Sequence, residues 1–270
     1  MAMLGTFVLA SAVSRNLAAQ QAPIQQTRHW TGQGVAPVYE GFDVNADGTF
    51  NMWFGYINRN FEEQLDVPIG PDNRFEPGVA DRGQPSHFDT RRRKDIFRVV
   101  VPKDFGEASN LVWSLTVRGR TESVAGTLNR IWQIDRQRTT RGGNSETINS
   151  NTPPVVDLQP ATQTVTVNLP ATLRISATDD GLPRRRGPDG REAQSVGMTV
   201  ELEKYRGPGR VVFSTPKQRL VEGKAAATAT FSEPGNYTIL AVVDDGSGES
   251  AGNFGYHCCW TDVLVNVVVK

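Results

Sequence analysis

The stretch Ala227–Gly246 reads ATATFSEPGNYTILAVVDDG, and it decides the fold. Ala225–Phe231 and Tyr237–Val243 each alternate with period two, as strands with one buried face do, and turn residues lie between them. Working outward, the same alternation recurs at Thr164–Val167, Thr172–Thr178, Met198–Leu202, Val211–Phe213 and Val263–Val269. Seven or eight short strands in about 120 residues are the pattern of a β-sandwich. The 26 Gly and 16 Pro, set beside many Val and Thr runs, favour turn-rich β structure over helices throughout.

Upstream of this block, Arg136–Thr152 is polar, contains glycine and has no apolar face, the composition of a solvated linker. The expected organisation is therefore an all-β chain of two consecutive β-sandwich domains, at 22–135 and 153–270, joined by a linker at 136–152. In the first domain, Val35–Phe42 and Thr49–Ile57 read as strands around a hairpin turn at Asn45–Gly48. Ile96–Val101, Asn110–Val117 and Ser123–Leu128 read as further strands. Between the two groups Pro68–Arg93 has little periodicity and reads as a long loop, and loops of that length are usually functional or ordered by their own side chains.

The second half resembles the immunoglobulin-like modules of the PKD and cadherin-like type found in secreted bacterial proteins. The resemblance rests on NTPPVV at Asn151–Val156, TDDGLP at Thr178–Pro183, RGPGRVVF at Arg206–Phe213, the quoted Ala227–Gly246 stretch and the final valine-rich strand. The chain departs from that pattern with long insertions at Arg184–Val196 and Ser247–Trp260. The resemblance implies an immunoglobulin-type sandwich acting as a spacer, an adhesion unit or a carrier for a carbohydrate-active enzyme. The first half, through FGYINRNFEEQLDVPIGPDNRFEP at Phe54–Pro77 and GQPSHF at Gly83–Phe88, resembles a family of exported bacterial β-rich proteins to which no activity attaches.

Residues 1–21 carry an apolar run, Leu4–Val13, followed by small residues at Ala18 and Ala19, and read as a signal peptide even though no basic residue precedes the run. The expected location is therefore secreted or at the cell surface. That run is too short for the ~20 residues a transmembrane helix needs, and no other segment comes closer. Lys plus Arg and Asp plus Glu are equal at 29 each, so no global field draws nucleic acid.

Two acidic sets are candidate calcium ligands. Asp43, Asn45 and Asp47 match the first half of a calcium loop, but Phe54 stands where a bidentate Glu belongs, and a tight hairpin turn explains the same residues. Asp179, Asp180, Asp244 and Asp245 end two strands that an immunoglobulin-like order brings to one pole, beside the entry of the linker. Calcium, neutralisation by Arg184–Arg186 and ordinary Asp-Gly turns compete there. Cys258 and Cys259 are the only cysteines. In an oxidising compartment they are candidates for a vicinal disulfide, for intermolecular cross-linking or, with His257, for metal or redox chemistry.

No G-x-S-x-G, H-E-x-x-H or comparable motif is present, and the three histidines stand apart in sequence, so no catalytic residue is assigned. His87, near Asp81, Arg82 and Asp89, is the acid–base candidate. Trp30, Tyr56 and Phe75, with His87, are candidates for a ligand-binding platform of aromatic faces around the long loop, whereas Trp53 and Trp113 read as core. The basic run Arg91–Lys94 reads as a solvated loop end. The functional reading is an exported, non-catalytic binding or adhesion module whose partner is a carbohydrate or a surface protein. One alternative is a structural subunit of a surface layer or fibre, favoured if Val263–Val269 stands unpaired at a sheet edge. The other is a redox or hydrolytic enzyme working through His87 or the cysteine pair.

Overall fold

A computed structural model describes residues 28–134, 151–182 and 197–246, the backbone at 185–186 and 192–193, and residues 259–270. The described residues are almost entirely strands and turns, with one short 3-10 turn at Arg130–Trp132. None forms a helix long and apolar enough to cross a membrane.

The first sandwich has two main sheets. One pairs β1 (Val35–Val44), β2 (Phe50–Asn58) and β6 (Arg91–Val101), and the other pairs β4 (Asn73–Glu76), β7 (Asn110–Val117) and β8 (Arg120–Thr127). Two short strands, β3 (Leu65–Asp66) and β5 (His87–Phe88), pair beside them. The β1–β2 hairpin turns at Asn45–Gly48 as its sequence predicts, with Gly48 N–H donating to the Asn45 carbonyl at 2.9 Å. Between the sheets lies an aromatic core in which Phe75 stacks on Trp113 at 5.9 Å and Phe54 stacks on Phe97 at 5.5 Å. Such contacts add to what burial of the ring area alone contributes.

The second sandwich pairs β9 (Val155–Gln159), β11 (Ala171–Thr178), β17 (Lys224–Phe231) and β15 (Val211–Phe213) in one sheet. The other sheet runs in the order β10 (Thr162–Val165), β19 (Trp260–Val269), β18 (Gly235–Asp244), β14 (Thr199–Arg206) and β16 (Lys217–Arg219). A two-residue pair, β12 (Arg185–Arg186) with β13 (Glu192–Ala193), stands apart. In immunoglobulin terms the first sheet is A-B-E-D and the second contains C-F-G, so the fold is immunoglobulin-like. Period-two alternation places Leu173, Ile175, Ile239, Ala241, Val243, Val265 and Val267 in its core. The final strand is not an unpaired edge: β18 runs along the whole of β19 on one side, and β10 pairs with Asn266–Val269 on the other.

Two expectations change. Pro68–Arg93 is not a featureless loop, because it contains β4 and β5 and ends on the first residues of β6. Its order comes from buried amides that no periodicity reveals. The Asn73 side chain donates to the carbonyls of Val67 at 2.9 Å and Pro85 at 2.8 Å, and accepts from Trp113 Nε1 at 3.0 Å. Gln84 donates likewise to the Ala80 carbonyl at 2.8 Å. Nor is Arg91–Lys94 a solvated loop end, since it opens β6 and Arg91, Arg92 and Arg93 pair with β2.

Asn73 is fully buried, so Asn73→Ala leaves three desolvated groups without partners. At roughly 1–3 kcal/mol for an unsatisfied buried group, the variant is expected to lose about 3 kcal/mol or more in urea unfolding. A loss under about 1 kcal/mol contradicts this account of how the segment is ordered.

Candidate functional site

The two sandwiches are packed together. The middle strand β2 is buried on both faces over most of its length, whereas β6 still alternates, with Arg98 and Val100 exposed. Trp53, 3% exposed, meets Trp260 edge-on at 6.2 Å, and Arg98 lies over the Trp53 ring at 5.3 Å. Tyr205 and Leu240 of the second sandwich join the hydrophobic core of the first. Along β14, residues 200 and 202 point into their own sandwich, while Glu201, Glu203 and Tyr205 point the other way.

Arg93 receives two of these outward side chains. Three residues of β6, Lys94, Asp95 and Ile96, stand opposite the single Gly55 of β2, and this bulge re-aims the strand. A Cβ at Gly55 would run into the Arg93 carbonyl and the Glu40 carboxylate, so glycine is required at this close approach. The Arg93 guanidinium reaches Asp89 at 2.7 Å in its own sandwich, and Glu201 at 3.0 Å and Glu203 at 3.1 Å in the other. Lys217 supports Glu201 at 2.9 Å.

The three carboxyl groups are not equivalent. Burial pushes Glu203 up to about 8, against the opposing pull of Arg93 and with Glu201 and Asp89 adding to the rise. Burial also works against the charge on Glu201, but Lys217 and Arg93 outweigh it and hold that group below its ordinary value. For Arg93 the loss of solvent is overcome by Glu203, Asp89 and Glu201, which keep the guanidinium charged. One neutral carboxyl among three leaves the half-buried cluster close to balanced at neutral pH.

Further along, the Ser86 N–H donates to the Tyr205 carbonyl at 3.1 Å, and the Tyr205 hydroxyl donates to the Gly83 carbonyl. Arg206 clasps both carboxylate oxygens of Asp81, at 2.8 and 3.0 Å. The half of β14 that β16 does not reach is thus occupied by the Pro68–Arg93 segment of the first sandwich.

Between these contacts opens a cleft of about 560 Å³. Gln64, Asp66, His87 and Asp89 line it from the first sandwich, and β14, Arg210, the β15 edge and Pro216 line it from the second. Asp66 is its hub. One carboxylate oxygen accepts Lys204 Nζ at 2.8 Å and faces His87 Nδ1 at 2.9 Å, and Lys204 Nζ also donates to the Gly209 carbonyl. Burial opposes the charge on Asp66, yet His87 and Lys204 together hold its carboxyl below the ordinary range. Lys204 is 4% exposed at its side chain, so the pair is a partly buried bridge between the sandwiches. A smaller hollow of about 340 Å³, lined by Ile69, Pro68 and Pro208, lies on the far side of Asp66.

Of the candidate ligand-binding residues taken from sequence, Trp30, Tyr56, Phe75 and His87, His87 alone lines this cleft. Tyr56 and Phe75, 2% and 1% exposed, are core residues and offer no face to a ligand, because the strands that carry them turn these positions inward. Burial holds the Tyr56 phenol above its ordinary value, and its hydroxyl accepts the Asp89 N–H at 2.9 Å. Trp30 is exposed, but it packs edge-on to Phe61 at 5.9 Å rather than beside His87. Sequence reasoning missed Arg93, Asp66 and Lys204, whose partners lie more than a hundred residues away. The clue available was RRRK at the start of a strand.

Both acidic sets are engaged in their own turns. Asp43 accepts Asn51 Nδ2 and Trp53 Nε1, Asn45 exchanges amide contacts with Asn51, and Asp47 accepts the Thr49 N–H and hydroxyl. The two loops at the pole do converge: Asn151 donates to Asp245 at 2.9 Å, and Asp180 accepts the Thr152 N–H at 2.8 Å. Asp179 and Asp244 accept the N–H groups of Gly181 and Gly246. Burial, with Asp180 beside it, raises the Asp179 carboxyl above its ordinary value. Among the described residues no group of three or more His, Cys, Asp or Glu is placed to hold a metal ion. Cys259 is buried and disulfide-bonded, while Cys258, the other cysteine of the sequence, and His257 lie outside the described residues. Arg184 and the side chains of Arg185 and Arg186 lie outside them too.

No family model and no curated protein matches the chain. Among solved structures it is similar to WR4, a C. elegans MSP family member, at 11% identity and a TM-score of 0.29, over 43% of this chain and 97% of that one. It is similar to a conjugative transposon lipoprotein from Bacteroides eggerthii at 11% identity and 0.29, over 43% and 96%. Domains 4 and 5 of the S-layer protein SbsC align at 13% identity and 0.26, over 60% and 65%. Likenesses at this level carry no argument about what the chain does.

Glu203 gives the cluster a pH signature. Its carboxyl stays protonated in the folded protein up to about 8, but only to its ordinary value near 4.5 when unfolded. Between those values the folded state holds the extra proton, so this group makes stability fall as pH rises and level off above about 8. Glu203→Gln, which stays neutral, is expected to be more stable than the parent at pH 9 by on the order of 1–3 kcal/mol, and to converge with it near pH 4. Parallel stability curves across pH 4–9 contradict the assignment.

Proposed function

We propose that this chain is an exported, non-catalytic binding module that takes a carbohydrate in the cleft between its two sandwiches. One observation carries the reading: the cleft joins a polar hub, Asp66 with His87 and Lys204, to an apolar wall at Val211, Phe213 and Pro216. Sugars present hydroxyls and an apolar ring face together, and concave sites that combine apolar lining with a few fixed polar groups are those that retain small ligands. Export rests on the apolar run of residues 1–21, and the affinity with PKD and cadherin-like modules rests on the stretches quoted above. The surface-layer alternative loses much of its particular support because the end of β19, Asn266–Val269, is paired on both sides. A hydrolytic role for His87 draws on Asp66, which orients the imidazole as a general base is oriented, but none of the residues lining the cleft is Ser, Thr or Cys.

The test is calorimetric titration of the full chain with a panel of oligosaccharides, beside a Val212→Trp variant. Val212 lines the cleft and is 51% exposed, so the larger side chain obstructs it without emptying the core. Expected is saturable binding of at least one saccharide by the parent and its loss in a variant that melts at the parental temperature. Binding that survives the obstruction, or no binding across the panel, overturns the reading.

A further inference from the structure

The charges of the cleft are paired, with one exception. Asp66 is shared by Lys204 and His87, and Asp89 is held by Arg93 and accepts Gln64 Nε2 at 2.9 Å. Glu203 meets Arg93 and, buried as it is, stays protonated at neutral pH. Arg210 lines the same cleft, and among the described residues no carboxylate lies within ion-pair distance of its guanidinium. Its backbone is fixed on both sides, the N–H donating to Ser232 Oγ at 2.8 Å and the carbonyl accepting the Ser232 N–H at 3.0 Å. The next residues, Val211–Phe213, form the β15 edge that supplies the apolar wall. An exposed arginine with no ion-pair partner among the described residues therefore lines the same cleft as the β15 edge and as Asp66, a carboxylate with one oxygen left for a further donor.

Resting on the carbohydrate reading, we infer that the ligand is an acidic saccharide: its ring carboxylate pairs with Arg210, its ring face lies on Val211 and Phe213, and a hydroxyl donates to Asp66. Guanidinium takes a carboxylate in bidentate geometry, and a uronate carries that group on the ring itself, beside the face that lies on Val211 and Phe213. A neutral sugar would leave Arg210 unpaired and gain nothing from it.

The test titrates the full chain with trigalacturonate, with its methyl ester, which keeps the shape and removes the charge, and with a sulfated trisaccharide, for the parent and for Arg210→Gln. Expected is affinity about tenfold higher for the free acid than for the ester at low salt, a gap that closes in Arg210→Gln chiefly because the acid binds more weakly. Equal affinity for acid and ester in the parent overturns this inference and leaves the carbohydrate reading standing. Preference for the sulfated sugar overturns the carboxylate assignment. Absence of binding to all three saccharides by the parent overturns the inference, and absence across the wider panel removes the carbohydrate reading with it.

Discussion

A single guanidinium, Arg93, holds carboxyl groups of both sandwiches within 3.1 Å, and the geometry of the whole molecule depends on that contact. Taking it out of water costs several kcal/mol, which only multiple well-placed partners offset. Three carboxyl groups supply the partners, and the neutral state of Glu203 keeps the group from overshooting into repulsion. The pairing therefore selects one relative placement of the sheets rather than merely gluing them, because any slip along β14 would strand a half-buried charge.

Apolar packing supplies the bulk of the adhesion around that point. Trp53 against Trp260, with Tyr205 and Leu240 entering the first core, covers the middle strand β2 on both faces. Such a strand needs apolar or paired side chains on both faces, and β2 has them at nearly every position. The cleft follows from the same arrangement. Its two walls come from different sandwiches, so its width is set by the Arg93 cluster on one side and by the Asp66–Lys204 bridge within it. Anything bound there touches both halves and stabilises the docked form in proportion to its occupancy.

Much of the architecture is legible in the amino-acid order because strands with one buried face alternate. The hairpin at Asn45–Gly48 and the strands around Val211–Phe213 and Tyr237–Val243 follow from period two and turn chemistry, and the immunoglobulin order from the resemblance that the quoted stretches carry. The candidate site is far less legible. Of the aromatic set, Tyr56 and Phe75 look like available faces in sequence, yet they alternate into the core, and Trp30 packs elsewhere. His87 was within reach as a residue of an unusually long connection. Asp66, Lys204 and Arg93 acquire meaning only when segments more than a hundred residues apart meet, and no local pattern encodes that meeting. The Pro68–Arg93 segment is unreadable for a related reason: Asn73 and Gln84 order it by satisfying backbone carbonyls from within, which leaves no repeat in the sequence.

The central claim, that the two sandwiches fold as one body around Arg93, is tested most directly by differential scanning calorimetry of the full oxidised chain at pH 7. The account predicts a single transition whose calorimetric and van't Hoff enthalpies agree, as for one cooperative unit. Two separable transitions, or a van't Hoff enthalpy near half the calorimetric value, would mean that the sandwiches unfold independently and would contradict it.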